Sequence, residues 1–123
     1  MYLGTIILES LVDRSVLDGL NVVNTEVEIV TEGFGTSWLK QWTLKTVEIP
    51  EDQAVNVAEK ISHAIDPEHA GSWFADFANA QTHYVIFRDK VFVIDRSNRE
   101  KYQEAEAYGL SLGIPQHQLG FLK

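Results

Sequence analysis

Between Ser72 and Asp95 the sequence packs three apolar segments around two turn signals, and this close folding-back constrains the chain more than any other feature. Strands are expected at 72–78, 82–88 and 91–95, with reversals at Asn79 to Gln81 and at Asp89-Lys90. Connections this short join antiparallel neighbours. Pairing Ala78 with Thr82 sets Asp76 opposite Tyr84. Pairing Arg88 with Val91 then sets Tyr84 opposite Asp95. Because side chains alternate between faces, one face carries Phe74, Asp76, Tyr84, Ile86, Val93 and Asp95. The other carries Trp73, Ala75, Phe77, His83, Val85, Phe87, Phe92 and Ile94. That second face is nearly all apolar and is the natural core side.

The rest of the chain supplies partners for these strands. Thr5-Ile6-Ile7-Leu8 marks a strand over 2–10. Asp13 can cap one or two helical turns that Gly19 ends. Val23, Thr25, Val27 and Ile29 alternate with Asn24, Glu26 and Glu28, the pattern of a half-buried strand. A loop at Glu32 to Ser37 leads to a third strand over 39–49. There Trp42, Leu44 and Thr46 share one face while Val47 and Ile49 fall on the other, which implies a bulge or burial on both sides. The clearest helix runs from Pro50 to Ile65, with Ala54, Ala58, Ile61 and Ile65 as its apolar stripe and Asp66-Pro67 as its stop. A last helix begins at the capping-box spacing of Ser97 and Glu100 and turns Tyr102, Ala105, Gly109 and Leu112 inward. Gly113, Ile114 and Pro115 end it, and Leu119 and Phe121 are expected to pack back on the body.

This order predicts one α+β domain over 1–123. Its antiparallel sheet has about five or six strands, with helices packed mainly on one face. The leading part reads β-α-β-β-α-β, a ferredoxin-like pattern with an added strand and a carboxyl-terminal helix. A meandering antiparallel sheet is the alternative. The 123 residues are 45% hydrophobic and contain no cysteine, so the core must hold the fold without disulfides or thiolate metal sites.

Charge narrows the partners. The formal net charge is −8 and no basic run occurs, which disfavours nucleic acid and anionic membranes and leaves a basic protein partner open. The apolar run Tyr2 to Leu8 is short, lacks a basic flank and reads as a strand rather than a leader. No apolar run approaches the ~20 residues of a membrane span. A cytoplasmic location is the expectation.

Three stretches together carry a resemblance: Trp73-Phe74-Ala75-Asp76-Phe77, then His83 to Phe92, then Tyr108-Gly109-Leu110-Ser111-Leu112-Gly113-Ile114-Pro115. The sequence resembles a group of short uncharacterised bacterial proteins with an aromatic-rich strand, a similar hairpin and a Y-G…G-I-P ending. The resemblance covers roughly the last two fifths of the chain. It implies a stand-alone bacterial domain and transfers no activity, cofactor, partner or site residue.

Few residues invite a chemical role. The Gly33-Phe34-Gly35-Thr36-Ser37 loop lacks the lysine of a phosphate loop, and no serine stands in a nucleophile elbow. His63, Asp66, Glu68 and His69 cluster at the end of the main helix, but their spacing matches no metal motif and a polar helix end accounts for them. No metal and no cofactor is expected. His83 reads as a core-edge histidine satisfied by a backbone group. The row Asp76, Tyr84 and Asp95 is the candidate binding surface, with carboxylates roughly 10 Å apart across three strands. Such a row suits a cationic or hydroxyl-rich ligand, and ordinary exposed polar residues are the competing reading. Trp42 and Trp73 read as core; Trp38, after the glycine loop, is a further candidate for ligand contact.

The leading functional expectation is a non-enzymatic domain that binds a protein partner, as an inhibitor or immunity-type factor. One alternative is a small-molecule binding protein or hydrolase-like enzyme using the Asp76, Tyr84 and Asp95 face. Another is a homodimer in which open sheet faces or edges meet.

Overall fold

A computed structural model describes residues 1–29, 41–68, 73–114, 116 and 119. Six strands form one antiparallel sheet: β1 (Tyr2–Ile7), β2 (Asn21–Ile29), β3 (Gln41–Ile49), β4 (Ala75–Ala78), β5 (Thr82–Phe87) and β6 (Lys90–Asp95). Their order across the sheet is β2-β3-β1-β4-β5-β6. Helix α1 (Ala54–Ala64) joins β3 to β4, and α2 (Arg99–Ser111) follows β6. The fold is therefore α+β, as the strand and helix signals require.

The first four strands form two interleaved crossovers. β3 lies between β1 and β2, and β1 lies between β3 and β4, which is the split arrangement of the ferredoxin-like pattern. In the first crossover two 3₁₀ turns, Leu8–Ser10 and Arg14–Leu17, replace a full helix. Asp13 caps the second of them by accepting from the Ser15 N–H, and Gly19 leaves it at φ 83°, a conformation glycine adopts without a Cβ penalty. The β5-β6 hairpin extends the sheet beyond β4.

The helices do not share a face, in contrast to the expectation from sequence. On β5, Tyr84 and Ile86 join a core with Ala58 and Ile61 of α1, together with Ile6, Val47, Ile49 and Phe77. Val85 and Phe87 point the other way, into a second core with Tyr102 and Ala105 of α2 and with Phe92 and Ile94. Five consecutive residues of β5, His83 to Phe87, are buried because each side of the strand is covered. Uninterrupted burial of this kind erases the alternation that would assign one face to the core.

The α1 stripe is the expected one, widened by Val57 and Ala64. Its last turn is fastened to the hairpin. The Ser62 hydroxyl donates to the Phe87 carbonyl at 2.7 Å, and the Arg88 guanidinium donates to the carbonyls of His63 and Ile65. Helix α2 starts one residue later than its capping box implies. Asp95 accepts from both the N–H and the hydroxyl of Ser97, so Asn98 becomes the cap and accepts from the Lys101 N–H at 3.1 Å. Substitution of Asn98 by alanine is expected to cost about 1 kcal/mol, read by denaturant unfolding, whereas Ser97→Ala should cost less. At the other end Gly113 stands at φ 94°. Its N–H reaches the Leu110 carbonyl and the Ile114 N–H reaches the Gly109 carbonyl. This is the helix stop read from Gly113-Ile114, and Ile114 is buried as its hydrophobic contact. Leu119 also packs into the second core, as expected, while Phe121 lies outside the described residues. No helix among the described residues is long and apolar enough to cross a membrane.

Candidate functional site

Both hairpin registers differ from those expected, and the difference decides where the candidate residues sit. The reversal after β4 is one residue longer. The Asn79 N–H bonds to the Thr82 carbonyl, while the Asn79 side chain accepts from the N–H groups of Gln81 and Thr82. Ala78 therefore pairs with His83 and Asp76 with Val85. A slip of one residue exchanges faces, so Asp76 and Tyr84 point to opposite sides of the sheet. In the second hairpin Arg88 and Asp89 form the turn, with Asp89 at φ 58°, and Phe87 pairs with Lys90. That is a shift of two. It preserves the faces but sets Tyr84 opposite Val93 and Asp95 opposite Thr82.

The row Asp76, Tyr84 and Asp95 does not form. Tyr84 is buried in the first core, stacked on Phe77 at 4.8 Å and edge-on to Tyr2 at 5.3 Å. Burial, with the neighbouring Tyr2 phenol, pushes its own phenol above the usual tyrosine range. Asp95 is exposed, and the N–H and hydroxyl of Ser97 hold its carboxyl below the usual carboxylate range. Trp38 lies outside the described residues.

Asp76 has different company. Its Oδ2 lies 2.7 Å from His83 Nε2, and His83 Nδ1 lies 2.9 Å from the Tyr102 hydroxyl. With Asp76 ionised, Nε2 carries the proton and donates to the carboxylate, and Nδ1 accepts from the Tyr102 O–H. Each donor in this chain then has an acceptor. The His83 side chain is 8% exposed and the Asp76 side chain 38%, so the chain runs from the second core out to the surface and ends on a carboxylate. Position 83 was expected to be satisfied by backbone. Two side chains satisfy it instead, one of them brought from α2.

The exposed end of this chain opens on a cleft of about 270 Å³ over β1, β3 and β4. Thr5, Ile7 and Leu44 form its floor, and Trp42, Trp73 and Phe74 its aromatic wall. Residues Thr5 and Asp76, and likewise Ile7 and Leu44, are cross-strand partners and so share this face of the sheet. The Trp42 and Trp73 rings meet at 5.8 Å with planes 58° apart. Asp76 is the one titratable group among the described residues that line the cleft. The volume is near the lower end of small-ligand sites, and an apolar lining with one converging polar group is their usual composition.

The sequence contained two signals for this site. A histidine on an otherwise apolar strand face needs a polar partner, and Asp76 is the nearest acid on the neighbouring strand. Trp42 and Leu44 were grouped on one face of β3, which is the cleft face. What was missing was the turn length that brings Asp76 to His83.

The cluster at the end of α1 has no shared focus. His63 Nδ1 lies 3.2 Å from the Asp89 carboxylate, while the Asp66 carboxylate accepts from the Glu68 N–H. His69 lies outside the described residues, among which no three His, Cys, Asp or Glu residues converge on a metal position. Comparison with protein-family models, curated proteins and solved structures finds no match to this chain.

Proposed function

We propose that the protein binds a small aromatic molecule bearing a protonated amine, seated in the cleft with its amine against Asp76. The observation that carries this reading is the carboxylate at the rim of an aromatic-lined cleft, supported from behind by His83 and Tyr102. A carboxylate beside apolar walls interacts strongly with a cation because little water screens the pair. The His83 hydrogen bond fixes the orientation of the Asp76 carboxylate. The half-buried Trp42, backed by the buried Trp73, can offer its ring face to an aromatic body or to the cation itself. The activity is recognition rather than catalysis, and the expectation of a cytoplasmic location belongs with it.

2-Phenylethylamine, 2-phenylethanol and 3-phenylpropionate are suitable probes, followed by tryptophan fluorescence and calorimetry near neutral pH. The amine is expected to bind at least about tenfold tighter than the alcohol, and the acid weakest, because one such factor equals only about 1.4 kcal/mol of charge preference. Asp76→Asn keeps an acceptor for His83 and should abolish the preference while the melting curve stays close to that of the unaltered chain. Equal binding of all three probes, or of none, would overturn the proposal.

A basic protein partner is the second reading. The net charge of −8 favours it, and Glu100 and Glu104 present carboxylates on the exposed side of α2. Pull-down at low and high salt is its test, and recovery of no stable partner at either counts against it.

A further inference from the structure

We propose that two copies of this chain pair along β2, antiparallel about a two-fold axis at Thr25. β2 ends the sheet, and all nine of its residues are exposed. The alternation of Val23, Thr25, Val27 and Ile29 with acids and amides is that of a strand with one covered face, yet none of the described residues covers it. Val22, Val23, Val27 and Ile29 are 42%, 50%, 55% and 72% exposed. The register shift between Val22 and Asn24 brings Val22 onto the same side as Val23, so all four valine and isoleucine side chains share one face. Free edges are normally blunted by lysine, proline or short length. β2 contains neither lysine nor proline, and its bulge, another such device, is confined to Val22–Asn24 at one end, whereas β6 at the opposite edge is shorter and carries Lys90.

A second copy fits this edge because β2 is complementary to itself in one register. About Thr25, Val23 meets Val27 and Asn24 meets Glu26, and the bulge ends the regular pairing at Val22. Each contact occurs twice, as a closed two-fold interface requires. The valines make an apolar cross-strand pair, and the Asn24 amide donates to the partner's carboxylate as it donates to Glu26 within one chain. No like charges stand directly opposite. An axis at Glu26 would set glutamate against its own copy, and one at Val27 would set Glu26 against Glu28. The two sheets then become one continuous sheet across the axis. Each chain carries a net charge of −8, so the copies repel over long range and screening by salt strengthens their association.

The chain has no cysteine, so a single introduced thiol reports position cleanly. In this register Thr25→Cys places two Cα atoms about 4.5 to 5.5 Å apart, within disulfide range. Glu28→Cys places them about 20 Å apart, out of range. Under mild oxidation Thr25→Cys is expected to become a covalent dimer and Glu28→Cys to stay uncoupled. Light scattering on the unaltered chain should show the mass rising toward twice the monomer between about 0.05 M and about 0.5 M salt. Thr25→Glu sets two carboxylates on the axis, while in its own chain it gains Lys45, whose Nζ already lies 3.2 Å from the Thr25 hydroxyl. That variant should be monomeric at both salts, with the unfolding midpoint of the unaltered chain at the lower salt, where that chain is also monomeric. Monomeric mass at both salts, equal coupling of the two thiols, or a dimeric Thr25→Glu variant would each overturn the proposal.

Discussion

Replacing Gly4 by alanine is expected to destabilise the protein by at least about 3 kcal/mol, the upper end of ordinary overpacking costs. Gly4 sits in β1, the strand shared by both crossovers, and pairs with Val47 on one side and Phe77 on the other. A Cβ at Gly4 would stand 2.2 Å from the Asp76 carbonyl oxygen and 2.5 Å from the Phe77 Cβ. The first of these is backbone and the second is fixed to it, so no rotamer change relieves the contact. Relief requires β1 and β4 to separate, which would open both the first core around Phe77 and the cleft beside Asp76. Urea unfolding of Gly4→Ala against the unaltered chain measures this. A loss below about 1 kcal/mol would mean that the two strands are not held this closely.

His83→Leu is expected to cost about 2 to 4 kcal/mol even though leucine is close to histidine in volume. The substitution removes a hydrogen bond to a carboxylate, the stronger kind, and takes from the buried Tyr102 hydroxyl the acceptor it has in Nδ1. The chain of bonds links β4 to β5 and β5 to α2, so its loss should loosen α2 on the sheet. A double-mutant cycle with Tyr102→Phe separates this from simple loss of packing. Coupling of about 1 kcal/mol is expected, since the two groups share one bond. Strictly additive costs would show that the bond contributes nothing. The same variant should weaken amine binding in the cleft, because Asp76 loses the donor that orients it.

The parts of the fold legible in the sequence are those controlled within a few residues. Asp13, Gly19 and Gly113 were readable because capping and left-handed backbone are properties of one turn. The α1 stripe was readable because its spacing alone places it on one side of a helix. Asn98 shows the limit: Ser97 had the better capping-box spacing, but Asp95 at the end of β6 had already engaged it. Burial of β5 on both sides was hidden for a different reason. An apolar run has no favoured face, and only the arrival of α2 on the far side of the sheet shows that Val85 and Phe87 need a core separate from that of Tyr84 and Ile86.

The candidate site depended on a single residue of turn length. Asp76 was singled out, but beside Tyr84 and Asp95 rather than His83, because a three-residue reversal was assumed where Asn79 organises a longer one. Which segments become strands and helices, where most of them stop and that the sheet is antiparallel were determined by the sequence alone, through local backbone preference and side-chain period. Which faces meet, which helix covers which side, and that a carboxylate, an imidazole and a phenol fall into line were decided only by the tertiary structure. The physical reason is that pairing register has a period of two: a turn one residue longer leaves the strands in place and moves every side chain on one of them to the opposite side.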